Sequence, residues 1–176
     1  MAITFVGGVH GVGKSTYCQK LAERTGFEWL TASALIKAES QSAITEGSKF
    51  VHDPAANQDL LVRAVQRHMG SSHRRMILDG HFTLLKPDGE IIAINVDVFA
   101  LLGIDTIIVL RDDPTSICNR LLERDKQEWP VHLVSAHQDA EINWAHAVAS
   151  DLGIPISTHH ALETDGPIRA IYELEK

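Results

Sequence analysis

Apolar residues in this chain fall into short unbroken runs, separated by longer stretches in which they recur with helical spacing. The runs at 3–6 (Ile-Thr-Phe-Val), 27–30 (Phe-Glu-Trp-Leu), 76–78 (Met-Ile-Leu), 106–110 (Thr-Ile-Ile-Val-Leu) and 154–157 (Ile-Pro-Ile-Ser) read as buried strands. Helical patterns lie between them, the first over residues 16–24, so the series reads as repeated βαβ units. That alternation predicts an α/β fold: a three-layer α/β/α sandwich around a five-stranded, mainly parallel sheet with helices on both faces. Residues 84–91 break the pattern and read as a β-hairpin or a loop, turning at Pro87-Asp88-Gly89. The polar stretch 41–54, with Gly47, reads as an excursion from the sheet.

Length and composition narrow the class. The 176 residues suit one domain, 1–176, with 44% hydrophobic and 22% charged residues and no apolar run long enough to cross a bilayer. No basic stretch followed by an apolar segment opens the chain, so a cytoplasmic protein without a membrane partner is expected. Against 16 Lys plus Arg stand 23 Asp plus Glu, a formal charge of −7. Such a balance repels polyanions, which argues against a nucleic-acid polymer as partner; a small anionic substrate needs only a local cluster of cations. Cys18 and Cys118, far apart and each in a helical pattern, are expected as buried small hydrophobes.

The first loop carries the sharpest chemistry. Gly8-Val9-His10-Gly11-Val12-Gly13-Lys14-Ser15 fits G-x-x-x-x-G-K-[ST] and stands between the first strand and the first helix, where a P-loop belongs. Its glycines let successive backbone N–H groups, those of Gly8, Gly11, Val12 and Gly13 through Ser15 and Thr16, curl around a phosphate. The helix that follows directs its positive dipole end at the same anion. Lys14 is then placed to reach the terminal phosphates of a nucleoside triphosphate, and the Ser15 hydroxyl to hold Mg²⁺.

Further along, the strand 76–78 ends in Asp79, the form expected of a carboxylate that orients Mg²⁺ or its waters. His81, two positions on, is either a base or a hydrogen-bonded structural residue. After the strand 106–110 comes a helix with Arg120 and Arg124, which share one face at a spacing of four. They read either as a clamp over a polyphosphate or as a solvated face paired with Glu123 and Asp125. A GTPase would carry Asn-Lys-x-Asp and Asp-x-x-Gly; neither is present.

Together the P-loop, Asp79-Gly80-His81 and the Pro114…Arg120…Arg124 helix resemble the nucleoside monophosphate kinase family. The stretch 30–39 (Leu-Thr-Ala-Ser-Ala-Leu-Ile-Lys-Ala-Glu) is similar to the start of the monophosphate-binding helix of adenylate kinases, and the Lys86-Pro87-Asp88-Gly89 turn looks closest to the archaeal type. The resemblance implies an acceptor-binding insert at about 32–70 and a small lid at about 124–136. It places Lys37 on the acceptor's phosphate and Thr31 near its nucleoside, with His81 beside the substrate. It sets Arg120 against the adenine of ATP, Arg124 among the transferring phosphates, and the turn at 159–164 at the edge of the adenine. The acceptor half departs from the family: residues 81–84 and 142–144 hold no arginine, only Lys49 lies near Asp53-Pro54, and Asp125 stands where a second lid arginine is expected.

Two functions follow. The first is Mg²⁺-ATP-dependent phosphotransfer to a small acceptor, a nucleoside monophosphate; Thr31-Ala32-Ser33 offers no carboxylate to deprotonate an alcohol. The second is an ATP-binding switch or slow ATPase acting with a protein partner. Oligomeric state, acceptor base and the purpose of His10 stay open, as does whether Trp129-Pro130 covers the nucleotide or caps a helix. His159-His160 is expected to end a strand in a solvated turn, not to bind a metal, and Trp29 and Trp144 are expected in the core.

Overall fold

The computed structural model describes residues 2–45, 54–71 and 75–161. Most of the excursion at 41–54, with Lys49 and Asp53, and the end of the turn at 159–164 lie outside these residues. The elements run β1 Ile3–Gly7, α1 Lys14–Thr25, β2 Glu28–Thr31, α2 Ala32–Thr45, α3 Pro54–Ser71, β3 Met76–Asp79, β4 Thr83–Leu85 and β5 Ile91–Ala93. They continue with α4 Val96–Leu102, β6 Thr106–Arg111, α5 Pro114–Asp125, α6 Val131–Leu152 and β7 Ile156–His160. A five-stranded sheet has the order β2-β3-β1-β6-β7, parallel throughout, and β4 and β5 form a separate antiparallel hairpin. Its turn closes with the Gly89 N–H donating to the Lys86 carbonyl at 3.0 Å, Gly89 adopting φ 88°.

Side chains alternate across the sheet and build the layers. On one face Ile3, Phe5, Met76, Leu78, Ile107 and Val109 pack on apolar residues of α3, α4 and α6. On the other, Val6, Ile77, Ile108 and Leu110 pack on Tyr17, Cys18 and Leu21 of α1 and Ile117, Cys118 and Leu121 of α5. Both cysteines are free and buried. Trp29 and Trp144 are half-buried against these two cores, and the Trp144 indole N–H donates to the Ile94 carbonyl at 2.7 Å. Among the described residues no helix is long and apolar enough to cross a membrane.

One strand departs from expectation. His159 and His160 do end a strand, but they belong to β7 itself, pairing with Leu110 and Arg111, and not to the turn beyond it. β7 lies at the sheet edge, with residues alternating between half-buried and largely exposed positions, so its polar second half satisfies its backbone without forming an apolar run. Where a lid is expected, α5 ends at Asp125 and residues 126–130 lead directly into α6.

Parallel pairing brings the carboxyl ends of the strands to one edge. Val6 and Thr31 both pair with Asp79, so the loop after β1, the β2 terminus and the Asp79 carboxylate meet there. Ligands of open α/β sheets bind outside this edge.

Candidate active site

The loop after β1 takes the backbone shape that its glycines predict. Gly8, Gly11 and Gly13 have φ of 146°, 77° and 110°, a region costly for residues with a Cβ. A Cβ on Gly11 would meet Leu121 Cγ of α5 at 2.8 Å, so the loop also packs too closely for a larger residue. Gly13 is the N-cap of α1, and no side chain caps that end. The first N–H groups of a helix have no partners within it, and here they open onto the cavity described below. Val12 is different: its N–H donates to the Val9 carbonyl at 3.3 Å and its side chain is buried.

Lys14 is 9% exposed and curls over its own loop. Its Nζ donates to the carbonyls of Gly8 at 2.6 Å and Val9 at 3.3 Å, and lies 3.5 Å from His81 Nε2. Burial lowers the Lys14 pKa, opposed by the negative charges of Asp79 and Glu141. Asp79, 7% exposed, is raised by burial and lowered in part by Lys14. The His10 and His81 rings lie with centroids 4.3 Å apart. Desolvation, with the Lys14 charge second, brings His10 down to about 4, although this residue stays exposed to solvent that screens the effect, and holds His81 well below the ordinary imidazole range. Both shifts favour the neutral imidazole.

The arginines of α5 take two different postures. Arg120 Nε donates to the Gly11 carbonyl at 2.7 Å, and its Nη2 to Asp112 Oδ2 at 2.7 Å, so it fastens the P-loop to the end of β6. Arg124 is exposed and forms a bidentate pair with Asp125 at 2.7 and 2.6 Å. The placement of both arises locally: Asp113 accepts from the Ser116 N–H at 2.8 Å and Pro114 opens the helix, which fixes the face on which both residues stand.

A cavity of about 640 Å³ joins these parts. At one end lie Gly11, Gly13, Lys14, Ser15, Thr16, Arg120 and Arg124; Asp79, Gly80 and His81 stand in the middle; Thr31 and Ser33 lie beyond them. The far end is closed by Ile36, the amides Asn57 and Gln58 of α3, and apolar residues including Leu61, Leu84 and Val98. Of the expected site residues, Gly8 and Val12 stand behind the loop surface and Lys37 is outside the lining. Lys37 is exposed, because one residue past Ile36 is a turn of about 100° around α2. Trp129 lines a second, smaller pocket of about 260 Å³ with His10, Leu85 and His137.

Sequence reasoning passed over Asn57, Gln58 and two residues of α6. Gln138 bonds the backbone of Asp112 in both directions, accepting from its N–H at 2.9 Å and donating to its carbonyl at 3.0 Å. Glu141, 0% exposed, accepts from the N–H groups of Gly8 at 3.0 Å, Phe82 at 2.9 Å and Thr83 at 2.7 Å, and from Thr83 Oγ1 at 2.5 Å. A signal was available: Val134, His137, Gln138, Glu141, Ala145 and Val148 share one buried stripe, so polar residues stand where a helix turns inward.

The residues present suit a triphosphate with Mg²⁺. Uncapped N–H groups, a loop whose glycines take φ values costly for residues with a Cβ, and a buried lysine make an anion cradle. Among the described residues no three His, Cys, Asp or Glu side chains converge as a metal site. Mg²⁺ bound through one or two protein oxygens plus phosphate and water needs no such group, and Ser15 and Asp79 offer those oxygens.

Fold and site together define a P-loop domain of the kinase type. The chain belongs to the family described as an AAA domain, whose model matches residues 7–132, from the end of β1 to the start of α6. It is 26% identical to an adenylate kinase of Thermococcus kodakarensis, over 99% of this chain and 93% of that one. It is 30% identical to adenylate kinase isoenzyme 5 of Homo sapiens over 73% of its length, and spans 23% of that longer protein. A gluconokinase from Sinorhizobium meliloti 1021 is similar in structure with a TM-score of 0.46 at 16% identity, covering 86% of this chain and 92% of that one. The resemblance to archaeal-type adenylate kinases thus extends along nearly the whole chain.

Proposed function

We propose that this protein transfers the γ-phosphoryl group of ATP, with Mg²⁺, to a nucleoside monophosphate. The observation that carries the reading is the continuity of the cavity: the phosphate cradle and the pocket between α2 and α3 are two ends of one space of about 640 Å³. That size suits small-molecule ligands. Relatives named adenylate kinase align along the same length.

In this reading the P-loop N–H groups and Lys14 hold the donor phosphates, and Arg120 keeps the loop in shape beside the base of ATP. Arg124 leaves Asp125 to meet charge that develops on the transferring group. Mg²⁺, when bound, neutralises phosphate charge; Ser15 and Asp79 hold it. Thr31, Ser33, Asn57 and Gln58 bind the acceptor through hydroxyl and amide groups. An acceptor phosphate is already ionised, so no base is required at the end of β2.

A second reading, an ATP-binding switch or slow ATPase serving a protein partner, draws on one specific observation. The Lys and Arg residues in the described cavity lining are Lys14, Arg120 and Arg124, all at the donor end. Incubating the protein with Mg²⁺-ATP and a panel of ribo- and deoxyribonucleoside monophosphates, with ADP and phosphorylated product both measured, separates the two. Stimulated turnover with product is expected. Hydrolysis indifferent to every monophosphate favours the second reading.

A further inference from the structure

Glu141 is a carboxylate without a cation at hydrogen-bonding distance among its described contacts, in a place where burial of charge is costly unless every lone pair is used. All of its hydrogen-bond partners are donors, and His81 Nδ1 lies beside Oε1 at 3.8 Å. Oε1 receives the N–H of Gly8 and of Phe82, and Oε2 receives the N–H and the hydroxyl of Thr83. Gly8 opens the P-loop and lies 133 residues away in sequence, while Phe82 and Thr83 follow directly on Asp79-Gly80-His81. One side chain thus ties the phosphate loop to the segment that carries the metal-binding carboxylate and the cavity histidine.

Two further contacts make the tie rigid. Gly8 is held on both sides, its N–H by Glu141 and its carbonyl by Lys14 Nζ at 2.6 Å. A Cβ on Gly7 would meet the Phe82 ring at 2.4 Å, so the start of the loop is pressed against the same segment. The requirement is for two acceptor oxygens. A glutamine of the same size would turn an NH₂ group toward N–H donors at one end or the other, and an aspartate is a methylene too short to span both.

We propose that Glu141 is a positioning residue, which registers the P-loop against the Asp79–Thr83 segment so that Lys14, Asp79 and His81 keep one mutual arrangement around the phosphates. The tie itself is a claim about the chain alone; its effect on turnover rests on the phosphotransfer reading above.

The test compares wild type, Glu141→Gln and Thr83→Val at a temperature where circular dichroism shows each folded. Thr83→Val removes only the hydroxyl contact and serves where Glu141→Gln does not fold. Amide hydrogen exchange is read first, because it needs no activity. Glu141→Gln is expected to speed exchange at Gly8, Phe82 and Thr83 by about tenfold or more while the amides of β3 and β6 keep their protection. Thr83→Val should do the same at Thr83 and Phe82 to a smaller degree. ATP titration and steady-state kinetics follow, with KM for ATP expected to rise about tenfold and kcat to fall, and KM for the acceptor unchanged. Unchanged protection at Gly8 and Phe82, or loss spread evenly over the sheet, overturns the proposal, as does a lower melting temperature with unaltered KM for ATP. A wild type that neither binds nor turns over ATP sinks the phosphotransfer reading instead, and the exchange result still decides the tie.

Discussion

At the P-loop end of the cavity, the donor end of the proposed function, the backbone is pinned and the lining is charged; at the opposite end, the proposed acceptor end, the lining is neutral and made of side chains. Gly8 and Gly11 have backbone atoms bound by Glu141, Lys14 and Arg120, and the loop conformation depends on glycine. Across the cavity Thr31, Ser33, Asn57 and Gln58 line the wall among aliphatic residues. In the proposed reading the contrast has a chemical basis: a triphosphate carries several negative charges and calls for backbone N–H groups and cations, whereas a neutral nucleoside is met by hydroxyl, amide and apolar groups.

The largest effect is expected where the donor end holds its central cation. Lys14→Ala should lower turnover by about 10⁴-fold, within the range for a cation on the transferring phosphates, while circular dichroism shows the fold intact. Turnover within tenfold of wild type would remove the P-loop from the chemistry. Arg124→Ala should lower kcat by about 10³-fold with little change in ATP affinity, the low end for such arginines because Asp125 competes for it. If Asp125→Asn then fails to raise kcat in the parent protein, the competition does not exist.

The acceptor end should respond in KM. Asn57→Ala and Gln58→Ala are each expected to raise acceptor KM about tenfold, the worth of one well-made hydrogen bond, and to leave ATP hydrolysis without acceptor unchanged. A matching rise in KM for ATP would mean that the two ends are not separate sites.

A smaller effect concerns pH. His10 is depressed to about 4 and titrates near 6.5 when unfolded, so the native state resists its protonation. Its stabilising contribution is complete above the unfolded value and is lost as pH falls from about 6.5 toward about 4. Burial shifts His81 and His137 in the same direction. Melting temperatures followed from pH 7 to pH 4 should fall, and should fall less in His10→Asn; parallel curves would show that His10 is not among the causes. The smallest effect is reserved for Lys37→Ala, whose exposed side chain should change acceptor KM by less than about threefold, the scale of a weak surface charge interaction. A tenfold rise would bring Lys37 back to the acceptor phosphate.

Much of the donor end was legible in the sequence because its parts are close together along the chain. A glycine-rich turn followed by lysine and serine, a strand ending in Asp79, and two arginines one turn apart on a helix that Asp113-Pro114 begins are each contained in a dozen residues or fewer. The acceptor end was legible only in outline. Whether Ile36 or its neighbour Lys37 faces the cavity depends on how α2 rests on the sheet, and Asn57 and Gln58 reach the wall through the packing of α3.

The chain by itself determined the parallel sheet, the shape of the P-loop and the class of domain, since apolar runs and glycine positions act through short-range sterics and hydrogen bonding. Tertiary structure decided the rest. It set His159-His160 into an edge strand, tied Arg120 to the Gly11 carbonyl, turned Lys37 outward and buried Glu141 against Gly8, 133 residues away. Such contacts depend on the relative placement of whole elements. A buried carboxylate with four donors and a solvated one on a helix surface are the same letter in the sequence, and only the packing of α6 against the P-loop distinguishes them.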